Sequence, residues 1–172
     1  DSPAIAAAPD GTAFIRHTGV DGASAEAREG DRPAVVLIHG ASGNLNDMTF
    51  DLAPRLAAAG FRVAAFDRPG LGHTPRPHGR DWWRPVEQAR LLRRAAAALG
   101  LARPVVLGHS WGAAVALAWA AEAPEFPEAA AGVVSVSGAT MPWKEEAAGP
   151  LTPLITSRLG AALGAAALRV YT

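Results

Sequence analysis

Short apolar runs alternate with longer stretches of helical periodicity from Pro33 onwards. Residues 35–38 form a continuous, largely β-branched apolar run, as expected of a strand buried on both faces. Further strands are predicted at residues 13–18, 61–66, 104–107 and 132–136, and helices at residues 49–59, 85–99 and 111–121. This alternation predicts right-handed crossovers and an α/β fold: a mostly parallel sheet with helices on both faces.

Glycine and proline mark the ends of the predicted helices. Gly60 supplies the left-handed residue that ends the first helix, and Gly100 closes the second. Pro85 opens the second helix at its first turn, where a missing N–H costs nothing. Before residue 33, the prolines and the Asp-Gly pairs predict a linker that contains only the short first strand.

Composition excludes several classes of function. The chain has 16 Lys+Arg against 16 Asp+Glu, a formal charge of 0, and no basic cluster, so nucleic acid is not an expected partner. It has 0 Cys, which excludes disulfides and thiolate metal sites. No metal cluster, P-loop or dinucleotide fingerprint occurs, so the sequence implies no cofactor.

The sequence contains one uncharged stretch long enough to raise the question of membrane insertion. The uncharged stretch 104–121 approaches spanning length, but Gly108, His109, Ser110 and Gly112 interrupt it, so no transmembrane segment is predicted within the chain. The chain begins at Asp1 rather than Met, which is consistent with removal of an upstream segment. The sequence therefore leaves the compartment open.

The last segment of the chain has a different composition. Between residues 147 and 172 only Arg158 and Arg169 are charged, and apolar residues recur at helical spacing, which predicts one or two amphipathic helices. Two interpretations are open on this pattern: a pair of core helices, or the start of an apolar lid over a site.

The sequence has one G-x-S-x-G motif, and it lies where a strand is predicted to end and a helix to begin. Its residues are Gly108-His109-Ser110-Trp111-Gly112. A strained turn there holds a serine Oγ above the sheet edge, and the helix N-terminus beneath it favours developing negative charge. The motif predicts a nucleophile elbow with Ser110 as nucleophile; the alternative is a tight turn with an inert serine.

A second loop of small residues directly follows the strand at residues 35–38. Its residues are His39-Gly40-Ala41-Ser42-Gly43-Asn44. An acyl-transfer serine needs donors aimed at the oxyanion that it creates, and this loop can present the Ala41 N–H to the point that the Trp111 N–H reaches. For His39 and Asn44 we favour roles in holding the loop backbone over direct roles in chemistry.

A third segment combines charged residues and glycines after the strand at residues 61–66. It reads Phe66-Asp67-Arg68-Pro69-Gly70-Leu71-Gly72-His73-Thr74. For Asp67 and Arg68 we predict an ion pair that shapes this loop, and for His73 a structural role over an acid/base role. Trp82 and Trp83 could bind a ligand ring or pack the loop against the next helix, and Trp143 is expected to border a pocket.

These three motifs, in this order and each after a predicted strand, resemble the α/β-hydrolase superfamily. The closest resemblance is to the lid-bearing group of cofactor-free haloperoxidases, epoxide hydrolases and C–C bond hydrolases, and it runs from about residue 33 to about residue 143. It implies that Ser110 is the nucleophile and that Ala41 and Trp111 form the oxyanion hole. Epoxide hydrolases and haloalkane dehalogenases carry an aspartate at the nucleophile position, so Ser110 instead favours ester, lactone, thioester, amide or C–C hydrolysis of a small, largely apolar substrate.

The resemblance also implies a domain organisation. Residues 1–30 are then a linker with the first strand, residues 31–140 the N-terminal half of the hydrolase core, and residues 141–172 the start of a helical lid. The superfamily places its acid and histidine after the serine, but no Asp or His follows Ser110 here. We therefore expect the chain to be the N-terminal portion of a serine hydrolase, inactive alone, whose partner is the missing C-terminal part.

Two other classes of function remain open on the sequence. A catalytically inactive protein could keep the fold and use the pocket to bind a ligand. An interaction module could dock a partner on the apolar segment after Pro150. Neither alternative explains why the oxyanion loop and the elbow occur together.

Overall fold

A computed structural model describes residues 6–7, 13–17, 32–122 and 129–140, the first two ranges by their backbone only. The chain divides into two units, Asp1–Thr140 and Met141–Thr172, and the described residues belong to the first. The predicted helices after residue 147 and Trp143 lie outside the described residues. The elements are β1 Ala6–Ala7, β2 Ala13–His17, β3 Val35–Ile38, α1 Asn46–Thr49, α2 Leu52–Ala58, β4 Val63–Phe66, α3 Pro85–Ala98, β5 Val105–His109, α4 Trp111–Glu122 and β6 Gly132–Val136.

The described strands form one six-stranded sheet in the order β1-β2-β4-β3-β5-β6. The last four strands in this order run parallel, whereas β1 and β2 add to one edge as antiparallel strands. In register, Val35 of β3 lies beside Val63 of β4 and Val105 of β5. The predicted mostly parallel sheet is therefore confirmed.

Each face of β3 packs into a separate apolar core, which is why its run is continuous rather than alternating. Val36 and Ile38 point to the core under α3 and α4, together with Leu92 and Trp119. Val35 and Leu37 point to the core under α1 and α2; its members include Leu45, Met48, Ala53 and Val63. The helices thus cover both faces, as the sequence predicts.

The sheet order also fixes where a ligand can bind. After β3 the chain passes through α1 and α2 to β4, which neighbours β3 on the side away from β5. After β5 it passes through α4 to β6, which neighbours β5 on the side away from β3. The connections from the adjacent strands β3 and β5 therefore leave on opposite faces of the sheet. Such a switch point opens a crevice at the carboxyl ends of the two strands.

The helix predicted at residues 49–59 is wrong in its start and in its continuity. The structure has two short helices there, because Asp51 takes a φ of −135° that interrupts the helical path. The first turn begins earlier than the periodicity indicates, since Asn44 Oδ1 accepts the Asn46 N–H and initiates α1. Gly60 and Gly100 do take left-handed φ values, 86° and 70°, after α2 and α3.

The N-terminal linker contains one strand that the sequence does not predict. β1 pairs with β2 over only two residues, Ala6 and Ala7, so no alternating pattern could reveal it. Within the described ranges, no helix has both the length and the apolar character that a bilayer crossing requires.

A substitution at Leu92 tests how much the packing of α3 on its core contributes to stability. Leu92 is fully buried, so Leu92→Ala leaves a cavity and should lower the free energy of unfolding by about 2–5 kcal/mol. Arg94→Ala, on the exposed side of the same helix, should change it by less than about 0.5 kcal/mol. Urea unfolding followed by circular dichroism measures both; equal losses in the two variants would contradict the packing described.

Candidate active site

Ser110 occupies a sharp turn between β5 and α4. Its φ of 51° lies in the left-handed region that non-glycine residues rarely adopt, so the turn is strained. Two glycines make it possible: a Cβ at Gly108 would lie 2.2 Å from the Gly112 O, and one at Gly112 would lie 2.3 Å from the Ile38 O. The structure thus has a strained strand-turn-helix at the position where the sequence predicts one.

The backbone of Ser110 is fully hydrogen-bonded, whereas its hydroxyl is not. Its N–H donates to the Val136 O at 2.9 Å, and its carbonyl accepts the N–H groups of Ala113 and Ala139 at 3.1 Å each. Within residues 32–122 and 129–140, Ser110 Oγ has no hydrogen-bond partner, and the residue is only partly buried. The turn is therefore held rigidly while the hydroxyl stays available.

The loop after β3 passes directly beside this turn. A Cβ added at Gly40 would lie 3.3 Å from the Ser110 Cβ and 3.1 Å from His109 Nδ1. Ala41 and Trp111 line one cavity of about 160 Å³. Neither the Ala41 N–H nor the Trp111 N–H donates a hydrogen bond to any residue that the structure describes. The fold thus brings the three sequence-predicted site residues to one place and leaves two backbone donors free there.

His39 supports the loop through both of its ring nitrogens. Nε2 accepts the Arg68 N–H at 3.0 Å, which assigns the proton to Nδ1, and Nδ1 lies 2.9 Å from the Gly40 O. Burial lowers the pKa of this imidazole below 6.5, although the hydrogen bond to Gly40 acts in the opposite direction. This geometry matches the backbone-holding role favoured from the sequence.

The ion pair predicted between Asp67 and Arg68 is wrong. The Asp67 carboxylate instead accepts the backbone N–H groups of Leu45 and His73, each at 2.7 Å. Successive side chains of an extended chain point to opposite sides, which separates these two neighbours at the end of β4. His73 contributes its N–H here, and its side chain is exposed; the preference for a structural role fits this position.

Arg68 is buried, with only 3% of its surface exposed, and donates to main-chain oxygens. Nε bonds the His39 O at 3.1 Å, and Nη2 bonds the Gly40 O at 2.7 Å and the Ala41 O at 3.0 Å. Nη1 bonds Gln88 Oε1 at 3.0 Å. Burial lowers the pKa of Arg68 to about 10, so the guanidinium remains charged at neutral pH.

Three tryptophans, Trp82, Trp83 and Trp111, stand in the cavity wall. The lining residues are Ala41, Arg68, Leu71, Trp82, Trp83, Gln88 and Trp111. Trp82 packs against Gly70, and its ring centroid lies 5.0 Å from the Arg76 guanidinium, which fits the loop-packing interpretation. Trp83 is 51% exposed.

Sequence reasoning missed Gln88 as a member of this site. Its amide joins Arg68 to the Trp83 O, which accepts from Nε2 at 3.1 Å. A signal was present: Gln88 is a polar residue four positions before Leu92, on the apolar side of α3. In the described part of the chain, no three His, Asp or Glu side chains come close enough together to hold a metal ion.

Comparison with known proteins gives the family. The sequence model of the α/β-hydrolase fold matches residues 33–152, which is more than half of the chain. The chain therefore belongs to the α/β-hydrolase fold family, in agreement with the resemblance that its three motifs indicate.

Individual relatives carry different activities in their names. Over 107 residues the chain is 34% identical to epoxide hydrolase B of Mycobacterium tuberculosis, covering 61% of this chain and 28% of that protein. It is 31% identical to a proline iminopeptidase of Clostridium botulinum, covering 54% of this chain and 31% of that one. An epoxide hydrolase structure from an endophytic Streptomyces superposes with a TM-score of 0.57 at 27% identity, covering 77% of this chain and 36% of that one. The chain spans about a third of the length of these relatives.

Gly112 provides a direct test of the elbow. Gly112→Ala places a Cβ against the Ile38 and His39 carbonyls, so α4 must move from β3 and the free energy of unfolding should fall by about 1–3 kcal/mol. Gly132→Ala is the matched control, because a Cβ there meets nothing within 4 Å. Urea unfolding measures both, and equal stability of the two variants would contradict the close contact.

The lowered pKa of His39 predicts that the free energy of unfolding depends on pH. Because its folded pKa lies below 6.5, the unfolded chain binds the proton first as the pH falls, so this residue's contribution to stability is complete above pH 6.5 and declines below it. His39→Asn should flatten the slope of unfolding free energy between about pH 7 and 5.5, by up to about 1.4 kcal/mol per pH unit. A steep slope retained in His39→Asn would refute the assignment.

Proposed function

We propose that the full-length protein is a serine hydrolase that cleaves an ester, lactone, thioester, amide or C–C bond through an acyl-enzyme. One observation carries the proposal: at a strained turn beside the cavity that Ala41 and Trp111 line, the Ser110 hydroxyl has no hydrogen-bond partner among the described residues. An inert serine in a tight turn would need neither the strain nor two neighbouring backbone N–H groups that no described residue accepts.

In the proposed reaction, Ser110 Oγ attacks the carbonyl carbon and loses its proton to a general base. The carbonyl oxygen becomes negatively charged and is held by the N–H groups of Ala41 and Trp111. Ser110 precedes the first residue of α4, so the helix dipole stabilises the same charge. Collapse of the tetrahedral intermediate expels the leaving group, which takes the proton back from the general base, and forms the acyl-enzyme. Water, deprotonated by the same base, then hydrolyses the acyl-enzyme and frees Ser110.

The general base and its acid partner are assigned to polypeptide beyond this chain. No His or Asp follows Ser110 within it, and both ring nitrogens of His39 already have backbone partners. The edge strand β6 supports this assignment, because Val134 and Val136 are 42% and 41% exposed on the face where Leu107 packs against the core under α1 and α2. Further strands and helices pairing there would cover these valines, and residues 141–172 would begin the lid.

The substrate is proposed to be small and largely apolar. The cavity wall beside the elbow combines Leu71, Trp82, Trp83 and Trp111, whose apolar side chains suit an apolar group of the substrate. No cofactor is needed for this chemistry.

Epoxide opening is a second candidate, because an epoxide hydrolase is among both the sequence relatives and the structural neighbours. The family resemblance associates that reaction with an aspartate nucleophile, and this chain has Ser110 at the position. A catalytically inactive, ligand-binding protein is a third candidate if the full-length protein supplies no base.

Ser110→Ala in the full-length protein should abolish labelling by a fluorophosphonate probe. The probe loses fluoride to an activated serine and stays bound to its Oγ, so the wild type should gain one phosphonyl group on the peptide that contains Ser110. Ser42→Ala, which removes an exposed hydroxyl from the neighbouring loop, should still be labelled. Intact mass and peptide mapping by mass spectrometry give the readout.

The other outcomes separate the candidates. Labelling that persists in Ser110→Ala moves the nucleophile elsewhere and overturns the proposal. An unlabelled wild type that hydrolyses epoxides favours the second candidate, and an unlabelled wild type that only binds ligands favours the third.

A further inference from the structure

Arg68 is a buried cation for which the described residues provide no carboxylate. Its four hydrogen-bonding oxygens belong to His39, Gly40, Ala41 and Gln88, all of them neutral groups. A buried charge normally requires an ionic partner or complete hydrogen bonding. Three of the four oxygens are consecutive main-chain carbonyls of one loop. The guanidinium therefore stabilises one conformation of that loop.

Because the peptide bond is planar, the hydrogen bonds to the Gly40 O also fix the direction in which the Ala41 N–H points. In a trans peptide, the carbonyl of one residue and the N–H of the next point in opposite directions. The Gly40 O accepts both Arg68 Nη2 at 2.7 Å and His39 Nδ1 at 2.9 Å, so the Ala41 N–H must point away from these two donors. A flip of this peptide would remove the Gly40 O from both.

Glycine makes such a flip sterically accessible, so the hydrogen bonds from Arg68 and His39 to the Gly40 O are needed to prevent it. A Cβ at Gly40 would be tight against His109 and Ser110, and as a glycine this residue has backbone torsions that are less restricted than those of other residues. The steric demand of the elbow therefore creates a loop that needs an external constraint. Arg68 supplies that constraint from the loop after β4, with Gln88 of α3 fixing the other end of its guanidinium.

We propose that Arg68 is a positioning residue of the oxyanion hole, holding the Gly40–Ala41 peptide so that the Ala41 N–H faces the reacting carbonyl oxygen. This inference rests on the proposed serine hydrolase function. Arg68 acts through the backbone of the loop and does not itself contact the oxyanion. The planar fork of the guanidinium is essential, because one Nη must reach two carbonyls while Nε reaches a third.

The test compares Arg68→Lys with the wild type in the full-length protein, on a p-nitrophenyl ester and on its thionoester analogue. Sulfur accepts hydrogen bonds weakly, so the thionoester depends less on the oxyanion donors. Arg68→Lys keeps the charge but loses the fork, and kcat for the oxoester should fall about 10–100-fold with KM nearly unchanged. The ratio of oxoester to thionoester kcat should fall by a similar factor.

Three further measurements make the result specific. Arg55→Lys, at an exposed position on α2, should keep the wild-type ratio. In Arg68→Ala, added methylguanidinium should restore the ratio in a saturable manner. If circular dichroism shows that neither Arg68 variant folds, Gln88→Leu, which removes one acceptor of the guanidinium, should lower the ratio in the same direction by a smaller factor.

Each contrary result is distinguishable from failure of the proposed function. Fluorophosphonate labelling of wild-type Ser110 is recorded first, and an unlabelled wild type overturns both proposals. With labelling present, an unchanged ratio in Arg68→Lys, or in Gln88→Leu where that variant replaces it, overturns the positioning role alone. Equal loss of kcat on both esters overturns it as well, since that result indicates a general structural role.

Discussion

The close packing of the α4 backbone against the β3 backbone determines how the loops at the carboxyl ends of β3 and β5 are arranged. The first turn of α4 rests on the carbonyl end of β3, where a Cβ at Gly112 would stand 2.3 Å from the Ile38 O and 2.6 Å from the His39 O. This contact joins the strand that carries the Gly40 loop to the helix that follows Ser110. Because the connections from β3 and β5 leave on opposite faces, the two loops meet above the crevice between them.

Two polar side chains, Asp67 and Arg68, hold the segments after β3 and β4 through hydrogen bonds to the backbone. Asp67 accepts N–H groups from the segments after β3 and β4, while Arg68 donates to the carbonyls of the first of these segments. Asp67 therefore serves backbone N–H groups and Arg68 serves backbone carbonyls, and the two neighbours do not pair with each other. Charge-assisted hydrogen bonds in a partly desolvated setting are strong, which makes them suitable supports for a site that needs a precise backbone.

Much of the fold could be predicted from the sequence, and the misses have physical causes. Val35–Ile38 and Gly132–Val136 are strands at the predicted residues, and the long helix begins at Pro85 as expected. The break between α1 and α2 was missed because α1 has one buried residue, Met48, and so no periodicity to detect. The Asp67–Arg68 pair was wrong because adjacency in sequence was taken for adjacency of side chains.

The amino-acid sequence alone determined the order of strands and helices and the turn at Ser110, because apolar periodicity and the steric freedom of glycine act within a few residues along the chain. Only the tertiary structure decided which groups the polar side chains serve. Arg68 bonds carbonyls 27 to 29 positions earlier in the chain, and Gly40 meets Ser110 only once β3 and β5 are paired. Hydrogen bonds depend on distance and angle between groups that the folded sheet alone brings together, so no local pattern encodes them.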